Sequence, residues 1–539
     1  MKLLLLSLGL VAAVPAAACA QAVGSAPTPI AQAAEPPRLV VFITVDQMRP
    51  DYFERFGSQF TGGLKRLYEG SAFFSRGEQD HAIVETAPGH STLLTGRSPA
   101  STGIVTNELG VPDTLSPLLG IPGPGASPAR FRGTTLYDWM KAVDPDVRVL
   151  SVSRKDRGAI LPIGRAKVPV YWYQSGYFTT SLWYGTELPR WLRVWNSRNG
   201  AAKLAGKSWD LLRPASEYPE PDDQPWERGG NETEFPHALS DDPNRAVLQL
   251  IATPWMDSLT LDIALEGAKD LKLGQRTRPD LLAVSLSTTD AVGHAYGPDS
   301  REMRDHMLRL DHWLGWFMDS LEQSVGKDRI LWALSSDHGV TSFPERARAA
   351  GRIAGRAVMD TVVFYANQDL LLRYQQSVGV VFNNGVLIAD TTVLHKAGAN
   401  VDSIASALAS QVARTSGVTR VYTPRTLAAA SGDDLDAMRW RRSLPSDFEW
   451  LVAASLAPGY IWSFAAAATT HGTTNADDVR VPILFMGQGI TPGKYDRGRT
   501  AASLPPRTVD IAPTLAALLG VKPLEPVEGI VLPEVAKPR

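Results

Sequence analysis

Three unbroken apolar runs each lead into an aspartate, and this pattern constrains the fold more than any other feature. RLVVFITVDQMRPD runs into Asp46, DLLAVSLSTTDAVGH into Asp290, and RILWALSSDHGV into Asp337 and His338. Apolar runs without alternation are buried on both faces, the condition of strands in a parallel sheet covered by helices. VPILFMGQGI and VRVLSVSRKDRG are two further runs of this kind. Helical patterns lie between them. In REMRDHMLRLDHWLGWFMDSLEQ the residues Met303, Met307, Leu310, Leu314, Phe317 and Leu321 recur at helical spacing, and TVDIAPTLAALLGV is a second helix. The alternation predicts an α/β doubly wound, mostly parallel sheet flanked by helices. In such a sheet the ligand site lies beyond the carboxyl ends of the strands. That is where Asp46, Asp290, Asp337 and His338 fall.

Two regions break the alternation. Residues 165–245 are rich in Trp, Tyr and Pro, and residues 345–460 carry a small strand-helix-strand pattern of their own. Both read as insertions over the rim of one catalytic body, 38–539. Residues 1–20, MKLLLLSLGLVAAVPAAACA, have the early Lys, apolar run and small-residue end of a secretory signal peptide, followed by an Ala/Pro-rich flexible tail, 21–37. The protein is therefore expected to be exported, periplasmic or secreted. Cleavage after Ala20 is expected. The alternative is a lipobox with Cys19 acylated, against which stands the absence of Leu three places upstream. Cys19 is the only cysteine, so the body has neither disulfide nor thiolate ligand. No second apolar run reaches the ~20 residues that span a bilayer. A net charge of -2 gives no reason to expect a nucleic-acid partner.

Asp290 and His294 are four apart in TDAVGHAYG, Asp337 and His338 are adjacent, and His471 sits in TTHGTTN. With Asp46 they form a mixed oxygen and nitrogen ligand set. Such a set suits zinc, whereas carboxylates alone would suit magnesium or calcium. Acidic residues in PEPDD and DPNRAV would suit a structural calcium ion but are the composition of solvated loops. His306 and His312 read as ordinary helix residues. VETAPGHSTLLTGRSP, residues 84–99, adds four hydroxyls, Thr86, Ser91, Thr92 and Thr95, in a turn that would feed a helix starting near His90.

The ordered set FITVDQMRPDY, TAPGHSTLLTGRSPASTGIVTNE, KDRGAILPIG, STTDAVGHAYGP, SSDHGV and THGT resembles the alkaline phosphatase superfamily, in particular its bacterial PhoK/PafA-type alkaline phosphatases. The resemblance covers residues 38 to 525. It implies two zinc ions, one held by Asp46, Asp337 and His338 and the other by Asp290, His294 and His471. It also implies Thr86 as nucleophile and metal contact, with a covalent phosphothreonine. A threonine hydroxyl is a weak nucleophile, and a metal ion lowers the pKa of a bound oxygen. The useful hydroxyl is then the one beside the metals, and a helix start adds its positive dipole end. Sulfatases of the superfamily need Cys or Ser in a C/S-x-P-x-R pattern. Here that register reads Thr86-Ala87-Pro88-Gly89-His90.

Extra cations facing the phosphoryl oxygens favour a monoester dianion over a diester. Lys155 and Arg157, two apart on an expected extended segment, would point to one side, with Arg154 and Asp156 on the other. Asn107 would add a neutral donor, and the resemblance implies all three as phosphoryl contacts. The expected activity is hydrolysis of small phosphate monoesters, with inorganic phosphate as product. A phosphodiesterase or nucleotide pyrophosphatase of the same superfamily is the alternative within the class. A non-catalytic metal- or phosphate-binding exported protein is the alternative outside it.

Overall fold

The computed structural model describes residues 36–375, 379–463, 468–498 and 504–536. The expected signal peptide with Cys19, and nearly all of the expected 21–37 tail, lie outside the described residues.

Strand Leu39–Val45 pairs in parallel with Asp280–Leu286 on one side and Ile330–Ser335 on the other. All seven of its residues are buried. Val41, Ile43 and Val45 pack into the core on one face of the sheet, and Val40 and Phe42 into the core on the opposite face. This two-residue alternation between two apolar layers explains why the run carries a single polar residue, the buried Thr44. Among the described residues the sheet has nine strands, ordered by residue as 493–494, 72–78, 480–486, 330–335, 39–45, 280–286, 149–153, 170–174 and 177–179. Strand Arg480–Met486 runs antiparallel to both neighbours, and Tyr177–Thr179 antiparallel to Val170–Gln174. The fold is thus the expected mostly parallel α/β sheet between helices.

Helix Arg301–Val325 is 25 residues long, and each of the six apolar positions named above is buried. Ser300 caps it by accepting from the Met303 N–H. The second expected helix forms at Ile511–Leu519 and ends at Gly520. Among the described residues no helix is long and apolar enough to cross a membrane.

The aromatic region beginning near 165 opens with strands Val170–Gln174 and Tyr177–Thr179, which extend the edge of the central sheet. Its later acidic residues are engaged by protein groups. Glu220 pairs with Arg304, Asp222 with Arg301, and Asp242 accepts from the Asn244 N–H. The 345–460 region builds a four-stranded sheet, ordered 381–383, 386–388, 450–456 and 418–422, with its own apolar core. A further apolar cluster joins Val386, Trp440 and Ala453 of that region to Ala82 and Ile83. Those two residues immediately precede the threonine turn.

Candidate active site

Asp46 follows the last residue of its strand, and its N–H is bonded to the Leu286 carbonyl of the neighbouring strand. Asp337 and His338 follow strand Ile330–Ser335 after one residue. Asp290 and His294 lie on helix Thr288–Tyr296, one turn apart and so on one face. His471 comes from the loop before the last long strand. Oxygen and nitrogen atoms of Asp46, Asp337 and His338 lie within 4.8 Å of one another, as do those of Asp290, His338 and His471. His294 Nε2 is 3.2 Å and His471 Nε2 3.7 Å from Asp290 Oδ1. All six expected ligands therefore converge, with His338 between the two groups.

The hydrogen-bond pattern gives these residues the form that binds a metal. His338 Nδ1 contacts the Gly339 carbonyl, His294 Nδ1 the Thr469 carbonyl and His471 Nδ1 the Val84 carbonyl. A carbonyl accepts only, so each Nδ1 carries hydrogen and each ring turns its Nε2 to the carboxylates, as a lone pair in His338 and His471, whereas against burial, which lowers it, Asp290 raises His294. His338 Nε2 is 3.4 Å from Asp46 Oδ1, and neither buried atom has a hydrogen-bond partner. Lone pair facing carboxylate is repulsive until a cation lies between them, so the donor set fits a metal ion. Burial pushes the His338 imidazolium down to about 4, and burial with His338 beside it holds His471 well below the usual histidine range. Burial, with Asp290 and Asp337 close by, raises the Asp46 carboxyl. Burial acts the same way on Asp290, but Lys155 and His294 outweigh it and hold that carboxyl well below the usual range.

Thr86 opens helix Thr86–Leu93 with Glu85 as its N-cap. The helix thus starts four residues before the expected His90, because Pro88 sits inside its first turn, where a missing N–H costs nothing, and the Gly89 N–H donates to the Glu85 carbonyl. Three of the four hydroxyls are committed within the helix. Ser91 donates to the Pro88 carbonyl, Thr92 to that of Gly89 and Thr95 to that of Ser91. Thr86 Oγ1 instead accepts from Lys155 Nζ at 3.1 Å. The same ammonium is 2.6 Å from Asp46 Oδ2 and 2.6 Å from Asp290 Oδ2. One lysine thereby touches the candidate nucleophile and a carboxylate of each group.

The expected extended segment is not what carries Lys155 and Arg157. Strand Val149–Ser153 ends, Lys155 becomes an N-cap, and Arg157 lies in the first turn of helix Asp156–Ile160. Arg154 does not turn away either: against burial, which lowers it, Asp290 and Asp46 are its strongest charge neighbours. The reason is local, since Asp156 ends the strand by entering a helix, and alternation of sides holds only in extended chain. Arg157 meets Asp156 at 3.5 Å, and its Nε has no hydrogen-bond partner. Asn107 accepts from the Ala87 N–H through Oδ1 at 2.9 Å, which orients its carboxamide.

Residues 40–432 match the family described as type I phosphodiesterase / nucleotide pyrophosphatase. The chain belongs to the type I phosphodiesterase / nucleotide pyrophosphatase family. Within the alkaline phosphatase superfamily, its relatives include alkaline phosphatase PhoV of Synechococcus elongatus, 31% identical with 92% of each chain covered. Alkaline phosphatase PafA of Elizabethkingia meningoseptica is 30% identical, covering 90% of this chain and 92% of that one. The crystal structure of wild-type PafA superposes with a TM-score of 0.85 at 28% identity, over 94% of this chain and all of that one.

Gln47 and Glu85 escaped the sequence reading, which takes His90 as a structural residue. Gln47 holds a left-handed φ of 69°, donates from its N–H to Asp337 Oδ1 and from Nε2 to Asp290 Oδ1, and so ties the two groups together. His90 places Nδ1 3.0 Å from Asp337 Oδ2 and Nε2 2.9 Å from Ser285 Oγ. Glu85 accepts from the Asn107 N–H. Gln47 and Glu85 adjoin singled-out residues, and adjacency was the only signal for them.

Proposed function

We propose that this protein is an exported, metal-dependent alkaline phosphatase that hydrolyses small phosphate monoesters through a phosphothreonine at Thr86. Residues 1–20 act as its signal peptide, and the 345–460 region as an insertion over the site. The observation that carries the reading is the single ammonium of Lys155 shared by Thr86 Oγ1, Asp46 and Asp290. The named activities of the two long-range relatives support it.

Two zinc ions, held by Asp46, Asp337 and His338 and by Asp290, His294 and His471 with Thr86 as a shared contact, would supply Lewis acidity that favours the Thr86 alkoxide and offsets charge on the departing oxygen. Thr86 Oγ1 attacks phosphorus in line as the ester O–P bond breaks, and its proton passes through solvent to the departing alcohol oxygen. Lys155 and Arg157 hold the non-bridging oxygens by charge and Asn107 by its free N–H groups. The helix start keeps Thr86 at the positive dipole end while the phosphoryl group is attached. Water then attacks the phosphothreonine, phosphate leaves, and Thr86 regains its proton.

The test compares kcat/KM for an aryl phosphate monoester and the matching diester in zinc-loaded protein, alongside Thr86→Ala. A monoester preference of several orders of magnitude is expected, and T86A should retain less than about a thousandth of the activity while keeping its metal. The family description favours a second reading, a phosphodiesterase, which a diester preference would establish. Metal bound with no turnover of either ester would instead leave a binding protein.

A further inference from the structure

Hairpin tips usually sit in solvent, but the tip joining strands Val381–Asn383 and Val386–Ile388 is buried beside the threonine turn. The strands pair antiparallel with Asn383 opposite Val386, leaving the two-residue loop Asn384-Gly385. Both residues have positive φ, 36° and 92°, the Asn-Gly signature of a tight hairpin. Asn384 is 7% exposed and its Nδ2 donates to Glu85 Oε1. Glu85 is acceptor-only when ionised, so the amide nitrogen, and not Oδ1, must face it. On its other side the carboxamide lies against Gly472, next to His471. A Cβ at Gly472 would be 2.5 Å from Asn384 Cγ, so only glycine admits the tip there. The neighbouring Asn383 Nδ2 donates to Glu108 Oε2 at 2.6 Å.

The bond from Asn384 continues into the site. The second carboxylate oxygen of Glu85 accepts the Asn107 N–H at 2.8 Å, and Asn107 Oδ1 accepts the Ala87 N–H at 2.9 Å. Burial, with Glu108 beside it, pushes the Glu85 carboxyl up to about 7, and Arg157 acts against this. Glu85 is bonded through the chain to Thr86. A buried carboxylate with one oxygen on a backbone N–H and the other on a carboxamide is held at both ends, and its orientation sets that of Asn107.

We propose that Asn384 is a positioning residue that the 345–460 region supplies to the phosphoryl site. Through Glu85 it fixes Asn107, so this region tunes monoester turnover from within. The inference rests on the proposed role of Asn107 as a phosphoryl contact.

Asn384→Gly removes the carboxamide and leaves the left-handed turn unstrained. Asn384→Asp keeps the shape of the tip and replaces the donor with a second acceptor facing Glu85. The experiment measures kcat, KM and melting temperature for N384G, N384D, N107A and N384G/N107A with an aryl phosphate monoester. N384G should lower kcat/KM about tenfold, mainly in kcat, in a protein that stays folded at the assay temperature, with N384D lower still. In the N107A background the N384G change should cost less than about twofold, because both act through one contact. Losses that multiply, or an N384G enzyme within about twofold of the parent while N107A is impaired, would overturn the inference alone. An unimpaired N107A would overturn the role of Asn107 and the inference with it. Should N384G fail to fold, the cycle of N384D against N107A reads the same coupling.

Discussion

Lys155 Nζ lies 3.1 Å from Thr86 Oγ1, and Lys155 is nearly fully buried. A buried ammonium placed between the candidate nucleophile and two carboxylates gains most when a dianionic phosphoryl group joins it. Lys155→Ala should therefore lower monoester kcat/KM by about 100-fold or more, with a much smaller loss on a diester. Paired kinetics on the two esters check this, and equal losses on both would place the lysine in metal-site structure instead.

Removing metal should abolish turnover and expose the repulsion between the His338 lone pair and Asp46 Oδ1, 3.4 Å apart. Chelator treatment is expected to lower the melting temperature as well as the activity, and added zinc to restore both. Elemental analysis should return about two zinc ions per chain, following three protein ligands per ion. One ion per chain would mean that the two groups share a single site through His338.

His90 touches Asp337 Oδ2 at 3.0 Å and is anchored to Ser285 on its far side. A partner that orients a ligand carboxylate commonly contributes a factor of about 10–100 in metal affinity. His90→Ala should weaken zinc binding by that order in a competition titration, and excess zinc should recover most of kcat. Unchanged affinity would reduce His90 to core packing.

Asp478 gives a stability prediction away from the ligands. Burial raises its carboxyl to about 7, against hydrogen bonds from Thr473 and Thr341. A folded-state pKa above the unfolded 3.8 favours the protonated form, so this contribution to stability is present at low pH and is lost as pH rises from about 4 through about 7. About three pH units at 1.36 kcal/mol each correspond to about 4 kcal/mol. The melting temperature of the parent, relative to Asp478→Asn, should fall between pH 5 and pH 8. A flat difference would show that Asp478 titrates in the ordinary carboxylate range.

The strands and the metal-type donors were legible in the sequence because each belongs to a stretch of neighbouring residues. An apolar run must be buried on both faces, and a parallel sheet ends where the run ends. That alone put Asp46, Asp337 and His338 at the carboxyl ends of neighbouring strands, and one helical turn put Asp290 and His294 on one face. The choice among the four hydroxyls, which the sequence settled only through family resemblance, became physical in three dimensions, where Ser91, Thr92 and Thr95 spend theirs on helix carbonyls and Thr86 does not. The sides taken by Arg154, Lys155 and Arg157 depended on where a strand gave way to a helix, which a two-residue alternation does not report. Asn384 reaches Glu85 across 299 positions of chain, and Gln47 reaches Asp290 across 243. Bonds at such separations follow from how packed layers meet. Local pattern therefore determined which groups stand at the carboxyl ends of the strands, and tertiary packing decided which of them touch.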